Sequence, residues 1–252
     1  MLDERAGFVS SLPARAHSPR PSGWRLLLTV LVAYVAAQLA AGITLYALVG
    51  FPITASGLQA SLAAMQSGRN VAVSSAIGEV AMPLVAWLFL RSRMRARDVR
   101  LSIPHWRDLG FGILLLFLTI ALSAVFGALL HTGDIRSQVG VASRLHALWW
   151  EVPVIAIAAG VAEEVLFRGY LLEGLRRIWP KHTWAAVAIT SIAFGFAHLS
   201  WGLSDLQFLF YVALGALFAV FVLWRRSLWP AIFAHVAWDA LAFLLLYVKA
   251  GG

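Results

Sequence analysis

Seven long apolar runs, separated by short polar connections, constrain this chain more than any other feature. They cover about 24–49, 71–90, 109–130, 152–172, 184–203, 206–224 and 228–248. A helix needs ~20 mostly apolar residues to cross a bilayer. The pattern therefore predicts an all-α, polytopic transmembrane helical bundle of about seven to eight spans.

Composition excludes the other broad classes. Hydrophobic residues make up 61% of the chain and charged residues 13%, against ~25% charged in ordinary soluble domains. Such a chain is too apolar for a soluble globule and too apolar for disorder. It has no cysteine, which excludes disulfides, thiolate metal sites and cysteine nucleophiles.

The distribution of the net charge of +8 favours a membrane topology over nucleic-acid binding. Sixteen of the 20 Lys and Arg residues fall in alternate connections between the apolar runs. Basic loops stay cytoplasmic, so we expect a multi-pass cell-membrane protein with a cytoplasmic N-terminus. The bilayer is the expected partner, nucleic acid is not, and the run Arg91 to Arg100 is interpreted as a solvated, headgroup-facing loop.

Ionisable side chains inside the apolar runs indicate where chemistry takes place. Each costs about 2.5–3.5 kcal/mol at mid-bilayer on insertion scales, so we expect them to meet one another rather than lipid. They are Glu79, Glu163, Glu164, Arg168, His198, His235 and Asp239.

The spacing of these residues sorts them into roles. Glu164 and Arg168 are four apart with the acid first, which predicts a buried structural ion pair. Glu163 points about 100° away from Glu164 and is left free to act as a general base. His235 and Asp239, again four apart, share one helix face. Such a pair can orient an imidazole, hydrogen-bond a polarised carbonyl or contribute metal ligands.

Each motif alone also has an ordinary structural explanation. A single Glu–Arg pair can hold helices together, and a single histidine in a span can be a packing residue. Glu79, near Pro83 in the second run, is interpreted in this way, as a polar packing contact or a kink partner.

Taken together, Glu163-Glu164-x-x-x-Arg168, Phe194-x-x-x-His198 and His235-x-x-x-Asp239 resemble the CPBP family of intramembrane proteases. This family, also called ABI, joins CAAX prenyl proteases with bacteriocin-processing enzymes. The resemblance covers roughly residues 145–245. The last motif position is often asparagine in the family, whereas Asp239 can donate a hydrogen bond only when protonated.

The resemblance implies an endopeptidase that cleaves a membrane-associated or lipid-modified protein. Glu163 would activate a water with His198 as its partner, and His235 with Asp239 would stabilise the oxyanion. For the cofactor, two alternatives stay open: zinc, with Glu163, His198, His235 and Asp239 as ligands, or a metal-free mechanism driven by the glutamate.

The same reading divides the chain into three parts. Residues 1–23 are a disordered cytoplasmic leader, 24–130 are N-terminal transmembrane helices, and 145–248 are a catalytic helical core with its cavity among the C-terminal helices. A simple topology, however, places Glu163, His235 and His198 at different depths, whereas a single site requires similar depth.

Two other functions remain open at this point. One is a non-enzymatic immunity or scaffold protein of the same fold. The other is a proton-coupled transporter, because carboxylates and histidines also build proton relays. A transporter would be expected to show repeated halves, and the sequence shows none.

Overall fold

The computed structural model describes residues 22–50, 55–65, 67–129, 150–199 and 205–249. Its helices are α1 (Gly23–Val49), α2 (Ala55–Met65), α3 (Gly68–Leu90), α4 (Trp106–Leu129), α5 (Glu151–Glu163), α6 (Glu173–Ile178), α7 (Thr183–Ala197), α8 (Asp205–Arg225) and α9 (Trp229–Lys249). A 3-10 turn (Ala96–Val99) follows α3, and a π segment (Glu164–Leu172) joins α5 to α6. These ranges contain no strand, which confirms the all-α fold. The predicted leader lies outside them except for residues 22 and 23.

Among the residues described, four helices are long and apolar enough to cross a membrane: α1, α3, α4 and Leu206–Arg225 within α8. The apolar parts of α7 and α9 are shorter. The chain is a membrane protein, and the predicted total of seven to eight spans stays a prediction.

Helix α7 is shorter than its apolar run suggested. It ends at Ala197 instead of 203 and has 15 residues. At 1.5 Å per residue it is about 22 Å long, less than the ~30 Å hydrocarbon core. The predicted boundary was wrong, and the residue that follows this helix therefore need not lie at the far side of the membrane.

Small residues allow the helices to approach closely, which is how helices associate in lipid. A Cβ added to Gly78 on α3 would lie 2.8 Å from the carbonyl oxygen of Ala37 on α1. A Cβ at Gly160 on α5 would lie 2.6 Å from Val236 Cγ2 and 2.9 Å from the Val236 backbone nitrogen on α9. The crossing of α5 and α9 at Gly160 is what brings the second half of α5 against the first half of α9.

This crossing leads to a test with a matched control. Gly160→Ala places a methyl group against the Val236 backbone, which cannot rotate away, so we expect about 1–3 kcal/mol of destabilisation. Gly127→Ala on α4 adds the same methyl group where no atom lies within 4 Å. The measurement is the thermal midpoint in detergent. Equal midpoints for the two variants would contradict a close-packed crossing.

The arginine-rich connection between α3 and α4 is tied to the bundle. Arg100 Nε lies 2.6 Å from Glu173 Oε1 on α6, and Arg100 Nη1 donates a 2.8 Å hydrogen bond to the Val222 carbonyl on α8. The interpretation of this run as a solvated, headgroup-facing loop is wrong at Arg100, whose side chain is only 14% exposed. The connection therefore ties one end of α6 to α8.

Asp98 attaches the same connection to the bundle at a second point, because its Oδ1 lies 2.5 Å from Arg177 Nη2 on α6. Burial alone would raise the pKa of Asp98. The Arg95 backbone N–H and the Arg177 guanidinium outweigh burial and hold that pKa below its usual value. Asp98 is therefore ionised at neutral pH, where its attraction to Arg177 holds the connection in place.

Candidate active site

Four side chains from three parts of the chain meet inside the bundle. Glu163 closes α5, His198 follows α7, and His235 and Asp239 lie on α9. Glu163 Oε2 lies 3.8 Å from His198 Nε2 and 3.9 Å from His235 Nε2, and His235 Nε2 lies 3.6 Å from Asp239 Oδ2. The structure brings together all four residues that the sequence selected as catalytic, while their chemical roles stay predictions.

Behind this group lies an ion pair that is completely shielded. Arg168 Nη1 donates to Glu164 Oε1 at 2.8 Å, and both side chains are 0% exposed. The same Glu164 oxygen accepts a second hydrogen bond, at 2.9 Å, from Nδ1 of His235. The i,i+4 pair is therefore more than a contact along one helix, because it also holds an imidazole that belongs to α9.

Aromatic rings surround the buried guanidinium. The Arg168 Cζ atom lies 4.2 Å from the ring centre of Phe194 on α7 and 5.3 Å from that of Phe218 on α8. A cation over an aromatic face is stabilised by the ring quadrupole. Arg168 Nη2 also faces the Gly215 carbonyl at 3.4 Å. Arg168 thus connects three helical elements from a position without access to water.

The two adjacent glutamates approach opposite sides of one imidazole. Glu164 binds Nδ1 of His235, while Glu163 lies near Nε2. Sequence reasoning placed the two acids on different faces and gave the orientation of His235 to Asp239. The hydrogen bond is instead made by Glu164, because α9 places the ring in the angle between the two acids. The change from α to π geometry occurs between these two residues, and π turns are frequent at functional sites.

His198 is held by the end of its own helix. Its Nδ1 donates to the Phe194 carbonyl at 2.9 Å, because a carbonyl oxygen can only accept. That hydrogen bond turns Nε2 toward Glu163. The Tyr211 ring on α8 stacks on the imidazole with centres 4.0 Å apart and planes at 19°. Since α7 ends at Ala197, His198 lies level with Glu163, which removes the depth problem raised by the sequence.

Exposure divides the cluster into an open side and a closed side. The side chains of three residues on the open side retain 13–21% exposure, namely Glu163, His198 and Asp239. Glu164 and Arg168 have none. Water or substrate can therefore approach the Glu163 side chain from the open side, where its Oε2 atom lies just below the surface, while the hydrogen bond that positions His235 is kept dry.

Sequence reasoning missed two contributors to the site. Tyr211 lies in an apolar run with no spacing that relates it to His198, so only packing shows the stacking. Glu79 was interpreted as a packing contact, yet its carboxyl group interacts electrostatically with Glu163, His235 and Asp239. The signal for Glu79 was its cost in an apolar run, the same signal that selected the other acids.

Zinc was one alternative that the sequence left open for Glu163, His198, His235 and Asp239. Zinc sites hold their ligand atoms about 2.0–2.2 Å from one ion. Within the described part of the chain, no group of three or more His, Cys, Asp or Glu side chains is arranged to hold a metal ion. Zinc binding by Glu163, His198, His235 and Asp239 therefore stays a prediction.

Comparison with known proteins agrees with the resemblance drawn from the motifs. Residues 144–241 match the family model of type II CAAX prenyl endopeptidase, Rce1-like. Neither the curated proteins nor the solved structures gave a match. The match confirms the similarity of this region to CAAX proteases and supports an intramembrane protease in general.

Proposed function

With residues 144–241 matching a CAAX-type protease family, we propose that this protein is an intramembrane endopeptidase. It hydrolyses a peptide bond of a membrane-associated or lipid-modified protein with a water activated by Glu163. The protein is proposed to lie in the cell membrane with its N-terminus and basic connections in the cytoplasm, as the charge distribution predicts.

The observation that carries this proposal is the environment of Glu163 Oε2. This oxygen lies within 4 Å of the Nε2 atoms of His198 and His235. It is buried and has no hydrogen-bond partner among the residues described. A carboxylate oxygen between two imidazoles, on the open side of the cluster, has the position that a general base for water requires.

The reaction follows from the chemistry of these groups. Glu163 takes one proton from the water, whose oxygen forms a bond with the carbonyl carbon of the peptide. The carbonyl oxygen becomes negative and is stabilised by donors fixed in advance. His235 is the proposed donor through Nε2–H. Because its Nδ1 already donates to Glu164, this role requires the doubly protonated imidazolium, which the neighbouring carboxylates of Glu163, Glu164 and Asp239 stabilise.

Collapse of this intermediate completes hydrolysis. The C–O double bond re-forms, the C–N bond breaks, and Glu163 passes its proton to the leaving nitrogen. The products are a carboxylic acid and an amine, and Glu163 is regenerated. His198 is proposed to hold the water against Glu163. Asp239, whose Oδ2 lies 3.6 Å from Nε2 of His235, is proposed to support His235 in stabilising the oxyanion.

The test is cleavage of membrane-bound peptides by the purified protein in liposomes. Two arms carry the same peptide, with and without a farnesyl group near its C-terminus, and products are identified by mass spectrometry. Cleavage of either peptide supports an endopeptidase, and the peptide that is cleaved faster identifies the substrate class. No cleavage of either peptide, together with proton flux across the liposome membrane, would instead favour the transporter.

Chelation separates the two forms of the mechanism. Because the proposed mechanism uses Glu163 and the two imidazoles without a metal ion, we expect turnover to stay within about twofold after treatment with a strong zinc chelator. Loss of turnover that zinc add-back restores would contradict the metal-free mechanism and support the same side chains as ligands.

A further inference from the structure

Glu79 is an acid in the middle of an apolar helix, and it lies outside the region that matches the family model. It belongs to α3, in the N-terminal half of the chain, for which no function has been assigned above. An acid in such a position is expensive to keep in a membrane, so its neighbours decide what it does.

Contacts on either side of Glu79 determine its level in the bundle. Ala72, seven residues earlier and so on the same face of α3, packs in a cluster with Val152 and Ile155 of α5. Beyond the end of α3, the Arg93 carbonyl accepts a hydrogen bond from Arg177. Helices α3 and α5 therefore run side by side in the same direction.

The same reasoning places Glu79 against the catalytic cluster. Two turns beyond Ala72, about 10 Å along α3, the neighbouring residues of α5 are those just before Glu163. Helix α9 runs the opposite way, since Phe243 packs with the Ala72 cluster and Val236 packs at Gly160. Glu79 thus lies at the level of Glu163 and His235.

The electrostatics agree with this placement. The Glu79 carboxyl group interacts with Glu163, His235 and Asp239. Its Oε2 atom is buried, with no hydrogen-bond partner in the part of the chain that the structure describes. The cluster therefore contains a fourth carboxyl group, beside Glu163, Glu164 and Asp239, with Arg168 and two imidazoles as the groups that can carry positive charge.

We propose that Glu79 is a positioning residue of the active site that acts through Glu163. Carboxyl groups that interact in a dry cluster do not ionise independently, so their protons belong to the group as a whole. Through this coupling, Glu79 acts on the proton affinity of Glu163 without touching the substrate. This inference rests on the proposed protease function and assigns part of the active site to the N-terminal helices.

The experiment compares three variants of the full chain in liposomes. Glu79→Gln retains size but cannot exchange a proton, and Glu79→Asp retains the carboxyl group. Ser74→Ala, a buried polar residue on the same helix, is the control. We expect kcat of Glu79→Gln to fall about tenfold with KM within twofold, which is the signature of an effect on the reaction and not on binding. Glu79→Asp should recover at least a third of the wild-type kcat.

The outcomes separate this inference from the proposed function. If Glu163→Gln is inactive and Glu79→Gln has wild-type kcat, Glu79 has no role in the reaction and the protease proposal stands. If Glu79→Gln lowers the thermal midpoint while kcat per folded molecule is unchanged, its role is structural and the inference is wrong. If Glu79→Gln does not fold, the pH dependence of kcat of Glu79→Asp decides. A profile identical to that of the wild type contradicts the inference, whereas a shifted profile at unchanged KM supports it. If Glu163→Gln retains activity, the proposed function itself fails.

Discussion

Glu163→Gln is expected to lower kcat for peptide cleavage by roughly 10²–10⁴-fold, the usual contribution of a general base. The amide retains the size and shape of the side chain but cannot accept the proton of water. Since Glu163 Oε2 makes no hydrogen bond within the described structure, the replacement removes no hydrogen bond of this oxygen, and we expect the variant to fold as the wild type does. Initial rates in liposomes and the thermal midpoint measure the two effects separately.

Glu151→Gln is the matched control. It makes the same change at the start of α5, about 18 Å from Glu163 along the helix. Its kcat per folded molecule should equal that of the wild type. Activity of Glu163→Gln within a few fold of this control would reject Glu163 as the base and, with it, the proposed mechanism.

Arg168→Ala is expected to destabilise the protein by about 3–5 kcal/mol, because it leaves a buried carboxylate without its counter-charge. Glu164 is 0% exposed and cannot recover the lost interaction from water. The guanidinium also fills the space between the rings of Phe194 and Phe218. Unfolding by a graded denaturing detergent measures the loss.

Arg176→Ala is the control for the second prediction. Arg176 pairs with Glu173 at 2.9 Å, three residues away, but its side chain is 30% exposed. Partly exposed pairs contribute about 0–1 kcal/mol, so this variant should unfold close to the wild type. Equal stability of the two variants would show that the Glu164–Arg168 pair is not held in a closed environment.

The double variant Glu164→Leu with Arg168→Met separates stability from activity. Removing both charges leaves no unpaired charge, so much of the lost stability should return. Activity should not return, because Nδ1 of His235 loses its acceptor and the imidazole is no longer held toward Glu163.

Local sequence determined the fold class and the pairs within each helix. Apolar runs of bilayer length leave no stable alternative to membrane helices, and i,i+4 spacing places Glu164 beside Arg168 whatever surrounds them. The expensive ionisable residues also identified the members of the site, including Glu79, although that residue was assigned a packing role.

Tertiary structure alone decided which surfaces these side chains face. Spacing along one helix does not determine which residues of a second helix it contacts. The position of His235 between two glutamates and the stacking of Tyr211 on His198 therefore depend on how α8 and α9 pack against α5 and α7. Close approach at Gly160 sets the first of these contacts, and the early end of α7 sets the level of His198. Helix directions are fixed by residues far apart in the chain, and for that reason no local pattern contained them.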